Sequence, residues 1–376
     1  MRLKQAILED YSYRDLRGVD WRWRFSKFGP RLRASRTSAE FAQRAAMLLG
    51  VARDLHLWLK VNGLTIATFR RGVRPNVALQ WLPGLVPGWT QHNPVVASGR
   101  FPEGAQYLSL RAWPGGNPGL LRPALRVLRQ AAVAGDSLII DVRANCGGAE
   151  PLAGRFAGCF IRRPVCYAKH LTRARGRFKG PCERWLRPAR SGPFYAGRVA
   201  VLTGPGTVSS CESFVLMMKQ VPNCTTIGQR TAGASGNPKP IDLGNGVVVF
   251  VPSWQDMDLD GTRLEGRGVF PQIEVGPGSR FSPYSDPVLD EALKVLRRGR
   301  PRRAAVAKPA AGKRLPRNVE ASRKGAADIG PPRRHSRASG ACVLPNRGRR
   351  KRPRAPKPHH ERETSNLPQL RRPDPA

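Results

Sequence analysis

Residues 199–228 read VAVLTGPGTVSSCESFVLMMKQVPNCTTIG, and the fold assignment depends on this stretch. VAVLT (199–203) and CTTIG (224–228) are short runs of apolar and β-branched residues, which are typical of buried strands. Between them, ESFVLMMKQ (212–220) has the composition of a buried helix. A strand, a helix and a second strand in this order predict a βαβ unit and therefore a mixed α/β fold with a parallel sheet.

The same alternation continues outside this unit. GLLRPALRVLRQAAV (119–133) has a broad apolar face and predicts a helix, and SLIIDV (137–142) predicts a buried strand directly after it. Towards the C-terminus, SDPVLDEALKVLRR (285–298) has the cap residues and the apolar spacing of a helix. We therefore place an α/β core at residues 118–297.

The rest of the chain divides by composition into three further segments. Residues 1–58 read as helices, and Thr37 and Glu40 form a candidate capping box for a helix that should end near Asp54. Residues 59–117 alternate β-like runs with Pro and Gly and predict a β-rich connecting region. Residues 298–376 are rich in Arg, Pro, Ala and Gly, which predicts a disordered basic tail.

The chain has a formal net charge of +39, with 65 Lys and Arg against 26 Asp and Glu in 376 residues. Such a charge favours nonspecific contact with polyanions, above all by the tail, but the predominance of Arg, Pro, Ala and Gly favours a compositional bias as its explanation. No zinc-finger, helix-turn-helix or RNA-binding aromatic pattern accompanies the charge, so the sequence predicts no specific nucleic-acid partner.

The cysteines and the apolar runs exclude other classes of protein. The seven cysteines include no C-x-x-C pair, so neither a structural zinc site nor a disulfide framework is predicted, and no pattern points to a cofactor. No run of about 18 apolar residues predicts a transmembrane helix. The N-terminus lacks an apolar signal region, which predicts a cytoplasmic protein as written, or a secreted or periplasmic one if the true start lies upstream.

The turn GPGTVSSCES (204–213) is a candidate site because it joins a strand to a helix. A nucleophile at the start of a helix benefits from the helix dipole and from backbone N–H groups that can bind an oxyanion. The turn offers three candidates, Ser209, Ser210 and Cys211. The alternative is structural, because Ser209 followed three residues later by Glu212 is also a good capping box.

Two other elements could complete such a site. Among the three histidines outside the tail, only His56 follows a predicted helix and has a neighbouring acid, Asp54, so it is the candidate general base. The loop after SLIIDV reads DVRANCGG (141–148), and its paired glycines allow backbone N–H groups to approach a ligand closely. Three polar residues of this loop would brace it by hydrogen bonds: Asp141, Arg143 and Asn145.

Six blocks occur in the order and at the spacings of a known family. They are DLH (54–56), DVRANCGG (141–148), YAGRVAVLTGPGTVSSCESF (195–214), IGQRTAGASGNPKP (227–240), DLGNGVVVFVPSW (242–254) and DGTRLEGRGVFPQIEV (260–275). In these blocks the sequence resembles the tail-specific protease family, which includes C-terminal processing peptidases and the tricorn core protease. The resemblance implies a crotonase-like (ClpP-like) ββα spiral, with residues 118–297 as the protease core.

The resemblance also implies a role for each site residue. Ser209 matches the nucleophile and Glu212 the acid three residues after it. Ser210 and the glycine pair Gly147 and Gly148 match the backbone donors of an oxyanion hole. Cys211 is expected to pack inside the helix, because its side chain turns onto another face.

The base distinguishes two branches of the family. The processing branch uses a lysine after the nucleophile helix, but Ala234 stands at that position here. The tricorn-like branch uses a histidine from the N-terminal block, which His56 matches, with a glutamate that Glu265 matches. Leu55 stands where that branch has an orienting serine, so either Asp54 or Glu265 would orient the imidazole.

The resemblance therefore implies a serine endopeptidase that hydrolyses peptides or unstructured protein segments through an acyl-enzyme on Ser209, without a metal or cofactor. The alternative is a catalytically inactive relative that binds peptides or lipids.

Overall fold

The structure is a computed structural model that describes residues 2–72, 74–276 and 281–298. The described residues form eight α-helices: α1 (Arg2–Glu9), α2 (Trp21–Arg33), α3 (Ser38–Leu49), α4 (Leu82–Leu85), α5 (Arg122–Ala134), α6 (Glu150–Ala157), α7 (Ser210–Met218) and α8 (Pro287–Arg297). Short 3-10 turns follow α3, precede α5 and follow α6, at Gly50–Ala52, Pro118–Leu121 and Gly158–Phe160.

The same residues form fourteen strands: β1 (Trp58–Val61), β2 (Leu64–Ala67), β3 (Thr90–Gln91), β4 (Val96–Phe101), β5 (Ala105–Leu110), β6 (Ser137–Asp141), β7 (Val165–Ala174), β8 (Arg177–Leu186), β9 (Val199–Thr203), β10 (Cys224–Gly228), β11 (Pro238–Asp242), β12 (Val247–Pro252), β13 (Trp254–Met257) and β14 (Ile273–Glu274). The predicted βαβ unit is confirmed as β9, α7 and β10.

The largest sheet has the strand order β14-β10-β9-β6-β5-β4-β3. The five strands from β14 to β5 are parallel to their neighbours, and β4 and β3 are antiparallel additions at one edge. Parallel strands bring their carboxyl ends to one edge of the sheet, where sites of α/β proteins form. The loops after β6 and β9, which carry the predicted site residues, therefore leave the sheet side by side.

Two antiparallel sheets complete the fold, with strand orders β11-β12-β1-β2 and β13-β7-β8. In the first, β1 pairs with β12 in the register Leu59↔Val249, which holds the chain just after His56 against a strand from the second half of the sequence. Apolar residues of α1, α2 and α3 pack on this sheet. The segments predicted at 59–117 and 118–297 thus share two sheets, and the helices of the segment predicted at 1–58 pack on one of them. The boundaries of the segments stay predictions.

Helix α3 has the predicted start but not the predicted end. The Thr37 side chain accepts a hydrogen bond from the Glu40 N–H at 3.1 Å, as in a capping box, whereas the Glu40 carboxylate reaches the N–H of Arg36. The α-helix ends at Leu49 instead of near Asp54, and a 3-10 turn covers the next three residues. Arg53 then adopts a left-handed φ of 48°, which ends the helical path.

Two further sequence predictions concern the C-terminal tail and transmembrane helices. The predicted disordered tail at 298–376, with its predicted polyanion contact, lies outside the described residues apart from Arg298. Within the described ranges, none of the helices has the length and apolar character needed to cross a bilayer.

Candidate active site

Ser209 lies between β9 and α7 and has an unusual backbone conformation. Its φ is 59° and its ψ is −129°, which strains a residue with a Cβ and costs about 1–3 kcal/mol. A strained residue between a strand and a helix is the geometry that exposes a nucleophile at the edge of a parallel sheet. Ser209 is only partly buried and lines a cleft, whereas the residues that follow it in α7 are buried.

His56 reaches this serine from the N-terminal part of the chain. The His56 Nε2 atom lies 2.9 Å from the Ser209 Oγ atom, although 153 residues separate the two in sequence. The His56 backbone is held in turn, because its N–H donates to Asp54 Oδ1 at 2.7 Å. The structure therefore brings together the two residues that the sequence singled out as base and nucleophile.

Burial sets the charge of the imidazole. His56 is 7% exposed, and this burial lowers its pKa to about 4 because the charged form loses its hydration. The ring is therefore neutral at pH 7, which is the form that can accept a proton. Its other ring nitrogen, Nδ1, is buried and has no hydrogen-bond partner among the described residues.

Neither candidate orienting carboxylate bonds the imidazole ring. Asp54 accepts from the His56 backbone and from the Tyr11 hydroxyl at 2.8 Å, so it positions the histidine through the main chain. Glu265 forms an ion pair with Arg17 at 2.9 Å and accepts from the Ser235 N–H at 3.0 Å. Burial raises the pKa of Asp54 to about 6 and the pKa of Glu265 well above its ordinary value.

Glu212 ties the nucleophile turn to the loop before β11. Its carboxylate accepts four hydrogen bonds, from the Thr231 hydroxyl and from the backbone N–H groups of Ser209, Gly233 and Ala234. The Ser209 contact is the acid half of the predicted capping box. Burial nevertheless raises the pKa of Glu212 to about 7. Ala234, at the position of the other branch's lysine, is thus fixed beside Ser209.

The glycine loop after β6 packs directly on the nucleophile turn. Gly147 has a φ of 96°, and a Cβ there would lie 2.9 Å from the Ser209 Cβ atom, so only glycine fits. The Gly147 N–H donates to Asn145 Oδ1 at 2.8 Å and is therefore engaged inside the loop. Gly148 and Ser210, the other two predicted donors, both line the cleft at Ser209.

Buried ion pairs of Asp141 and Arg143 hold this loop in place. Arg143 is fully buried and forms ion pairs with Asp141 at 2.7 Å and with Asp286 at 2.8 Å, and it also donates to the Asn76 carbonyl. The two aspartates raise the pKa of Arg143 against the effect of burial. Because Asp286 also caps α8, the cluster connects the end of β6 to the last described helix.

Several residues that support the site were not found from the sequence. Tyr11 holds Asp54, and the Tyr13 hydroxyl lies 2.8 Å from the Ser235 Oγ atom beside Glu265. The sequence YSYRD (11–15) contains no catalytic motif, so it did not predict that Tyr11 or Tyr13 contacts the site. Thr231 could have been found, because it lies three residues before Ala234, the position at which the resemblance places the lysine of the processing branch. Cys211 is fully buried in α7, in agreement with a packing role.

A second histidine–serine pair shows that the contact alone does not define a site. His92 Nε2 lies 2.8 Å from Ser98 Oγ at the β3–β4 edge of the large sheet. Both partners lie on strands or beside them, and His92 is exposed. Ser209 differs from Ser98 because it begins a helix and lies next to backbone N–H groups that can stabilise negative charge.

These features define a mixed α/β protein with a histidine–serine pair at a helix N-terminus, which is an arrangement found in serine hydrolases. Residues 105–275 match the sequence model of peptidase family S41. This stretch therefore carries a family S41 peptidase domain, and the resemblance to serine peptidases of this type is confirmed. A hydrolase of this family acts on peptides or proteins. The match includes Ser209 and Glu265, whereas His56 lies before it.

Solved structures share the fold. A protein of Parabacteroides merdae ATCC 43184, described as a candidate peptidase, is 20% identical with a TM-score of 0.64, over 78% of this chain and 94% of that chain. Mature CPAF is 12% identical with a TM-score of 0.52, over 73% and 91%. A lipoprotein from Streptococcus agalactiae is 16% identical with a TM-score of 0.52, over 79% and 96%. At these identities the similarity concerns the fold.

Proposed function

We propose that this protein is a serine endopeptidase in which Ser209 is the nucleophile and His56 the general base. The observation that carries the proposal is the 2.9 Å contact between His56 Nε2 and Ser209 Oγ at the start of α7. The neutral ring, the helix N-terminus and the neighbouring Gly148 support it. We also infer that the core follows the crotonase-like ββα spiral of the tail-specific protease family, in the branch that uses a histidine base.

The proposed reaction proceeds through an acyl-enzyme. Ser209 Oγ attacks the carbonyl carbon of the scissile bond while its proton passes to His56 Nε2. The N–H groups of Ser210 and Gly148 stabilise the oxyanion of the tetrahedral intermediate. His56 then protonates the leaving amine as the C–N bond breaks. Water, activated by His56, hydrolyses the ester on Ser209 and restores the free hydroxyl.

A fluorophosphonate probe tests this proposal because it phosphonylates only an activated serine. We expect the wild type to be labelled on a peptide that contains Ser209, and Ser209→Ala to remain unlabelled. Ser98→Ala is the matched control, since it removes the serine of the exposed pair and should be labelled like the wild type. Absence of label on a folded wild type that still binds peptides would favour the alternative of an inactive peptide-binding protein.

The low pKa of His56 predicts that the proposed base stays neutral in mild acid. The base form of the ring is the neutral form, which is populated above its pKa of about 4. We therefore expect the ionisation of His56 itself to leave kcat/KM unchanged from neutral pH down to about 5, whereas an ordinary histidine would give a midpoint near 6.5. Asp54 and Glu212, whose pKa values burial raises to about 6 and about 7, titrate inside this range, so the profile is compared with those of Asp54→Asn and Glu212→Gln. The measurement is a pH–rate profile, with circular dichroism at each pH to confirm folding. A midpoint at or above 6.5 that persists in both variants would contradict the role of burial.

A further inference from the structure

The cleft beside Ser209 contains a polar cluster that the proposed chemistry does not use. The cleft has a volume of about 1120 Å³. Four polar residues line it near the nucleophile helix: Ser213, Glu150, Tyr167 and Asp256. Ser213 follows Ser209 by four residues, and its N–H donates to the Ser209 carbonyl at 3.4 Å, so it lies one helical turn into α7 from the nucleophile.

Internal contacts fix the orientation of Glu150. Its Oε1 atom accepts from the Tyr167 hydroxyl at 2.5 Å and from the Arg184 guanidinium. Its Oε2 atom has a weaker contact, with the Ser213 Oγ atom at 3.5 Å. Glu150 therefore keeps one carboxylate oxygen that a ligand could reach, and its side chain is 26% exposed.

The cationic member of the cluster lies behind the carboxylates. Arg184 is 6% exposed and packs over the rings of Tyr167 and Trp254, at 5.2 Å and 5.0 Å. Its second partner is Asp256, at 2.7 Å. Two carboxylates thus share one guanidinium, which leaves one negative charge when both are ionised. A bound cation would balance that charge in a partly desolvated place, where the attraction between opposite charges is screened less than in water.

Apolar side chains continue the wall of the same cleft, among them Leu121, Leu152, Phe156 and Met217. Such a wall suits a long aliphatic stem that carries a charge at its end, as in lysine and arginine. We propose that the cleft holds a subsite for a lysine or arginine side chain of the peptide substrate, next to the scissile bond, with Glu150 as its specificity-determining residue. This inference rests on the proposed peptidase function.

Three exposed arginines also line the cleft, and their positive charge disfavours the binding of a cationic side chain: Arg155, Arg187 and Arg190. They repel a cationic peptide as it approaches, but solvent surrounds them and salt screens their field over about 10 Å at 0.1 M. The contact inside the subsite is screened much less. Added salt should therefore speed the binding of all cationic peptides while the preference set by Glu150 persists.

The test uses a set of unstructured peptides that are otherwise neutral and differ at one position, which carries lysine, acetyl-lysine or norleucine. The varied position is moved along the peptide, and mass spectrometry identifies the bond that is cleaved. We expect kcat/KM for lysine beside the cleaved bond to exceed that for acetyl-lysine and norleucine by about tenfold, because a hydrogen bond to a charged group is lost in both. In Glu150→Gln, which keeps an acceptor for Tyr167 and Arg184, the preference should fall to about unity. Glu274→Gln, on β14 and away from the cleft, is the matched control and should keep it.

A binding measurement distinguishes failure of this inference from failure of the proposed peptidase function. Ser209→Ala is titrated with the same fluorescently labelled peptides, so the affinity is measured without hydrolysis. Tighter binding of the lysine peptide than of the acetyl-lysine peptide supports the subsite even if the wild type hydrolyses nothing. Equal affinities in this arm, equal rates with the wild type, or a preference that survives in Glu150→Gln would overturn the subsite while leaving Ser209 and His56 in place.

Discussion

His56→Ala is expected to hydrolyse peptides at least about 10⁴-fold more slowly than the wild type, since removal of the base from a serine–histidine pair has effects of this size. Among the described residues, no other side chain bonds the Ser209 hydroxyl, so none replaces Nε2 as the acceptor of its proton. The backbone donors at Ser210 and Gly148 remain, so a small residual rate is expected. The measurement is kcat and KM for a peptide that the wild type cleaves.

The exposed pair of His92 and Ser98 provides the control for this experiment. His92→Ala removes a histidine that also contacts a serine, at 2.8 Å, but it lies at the edge of the sheet and should change kcat/KM by less than about twofold. Melting temperatures of both variants should be compared with that of the wild type, because His56 is buried and its loss can also affect folding. A folded His56→Ala protein with full activity would exclude His56 as the base.

Arg143→Met is expected to lower the free energy of unfolding by about 3–5 kcal/mol, the usual cost of leaving buried partners of an ion pair unpaired. Arg143 has no exposed surface, and both of its partners, Asp141 and Asp286, are at most 4% exposed. Methionine fills the space of the side-chain stem but leaves two carboxylates without their cation. Urea denaturation followed by circular dichroism measures the change.

Two further variants show whether charge is the cause. The triple variant Arg143→Met, Asp141→Asn, Asp286→Asn removes both uncompensated charges, and asparagine at 286 can still cap α8, so part of the lost stability should return. Lys294→Met breaks an exposed pair with Glu291 at 3.5 Å and should cost less than about 1 kcal/mol. If the single Arg143 variant is as stable as Lys294→Met, the cluster does not stabilise the fold.

The sequence predicted the strands and helices of the parallel core well. β9 and β10 have the predicted bounds, and β6 differs from its prediction by one residue, because buried parallel strands are continuous apolar runs that glycine and polar turns delimit. The end of α3 was wrong by several residues. Its apolar spacing continues into the 3-10 turn at Gly50–Ala52, so periodicity alone could not locate the end of the α-helix.

The candidate site was predictable in its components but not in its contacts. From the residues alone, a helix cap was the better interpretation of Ser209, and the family resemblance supplied its role as nucleophile and its pairing with His56. The engagement of the Gly147 N–H by Asn145, and the use of Asp54 on the backbone of His56, depend on side-chain rotamers that no sequence pattern encodes. The first contact engages the N–H of one member of the glycine pair that was expected to bind the oxyanion. The second places Asp54 on the backbone of His56, whereas a carboxylate was expected on its imidazole ring.

The sequence by itself determined the α/β core, the strand-to-helix turn at Ser209 and the glycine loop at 147–148, because each depends on residues close together in the chain. Tertiary structure alone decided that His56 meets Ser209, because β1 must pair with β12 and the N-terminal helices must pack on that sheet before the two side chains approach within 2.9 Å. It also decided the charge of His56, since burial by distant residues lowers its pKa. Local patterns report backbone preference, whereas a site depends on packing between segments far apart in sequence.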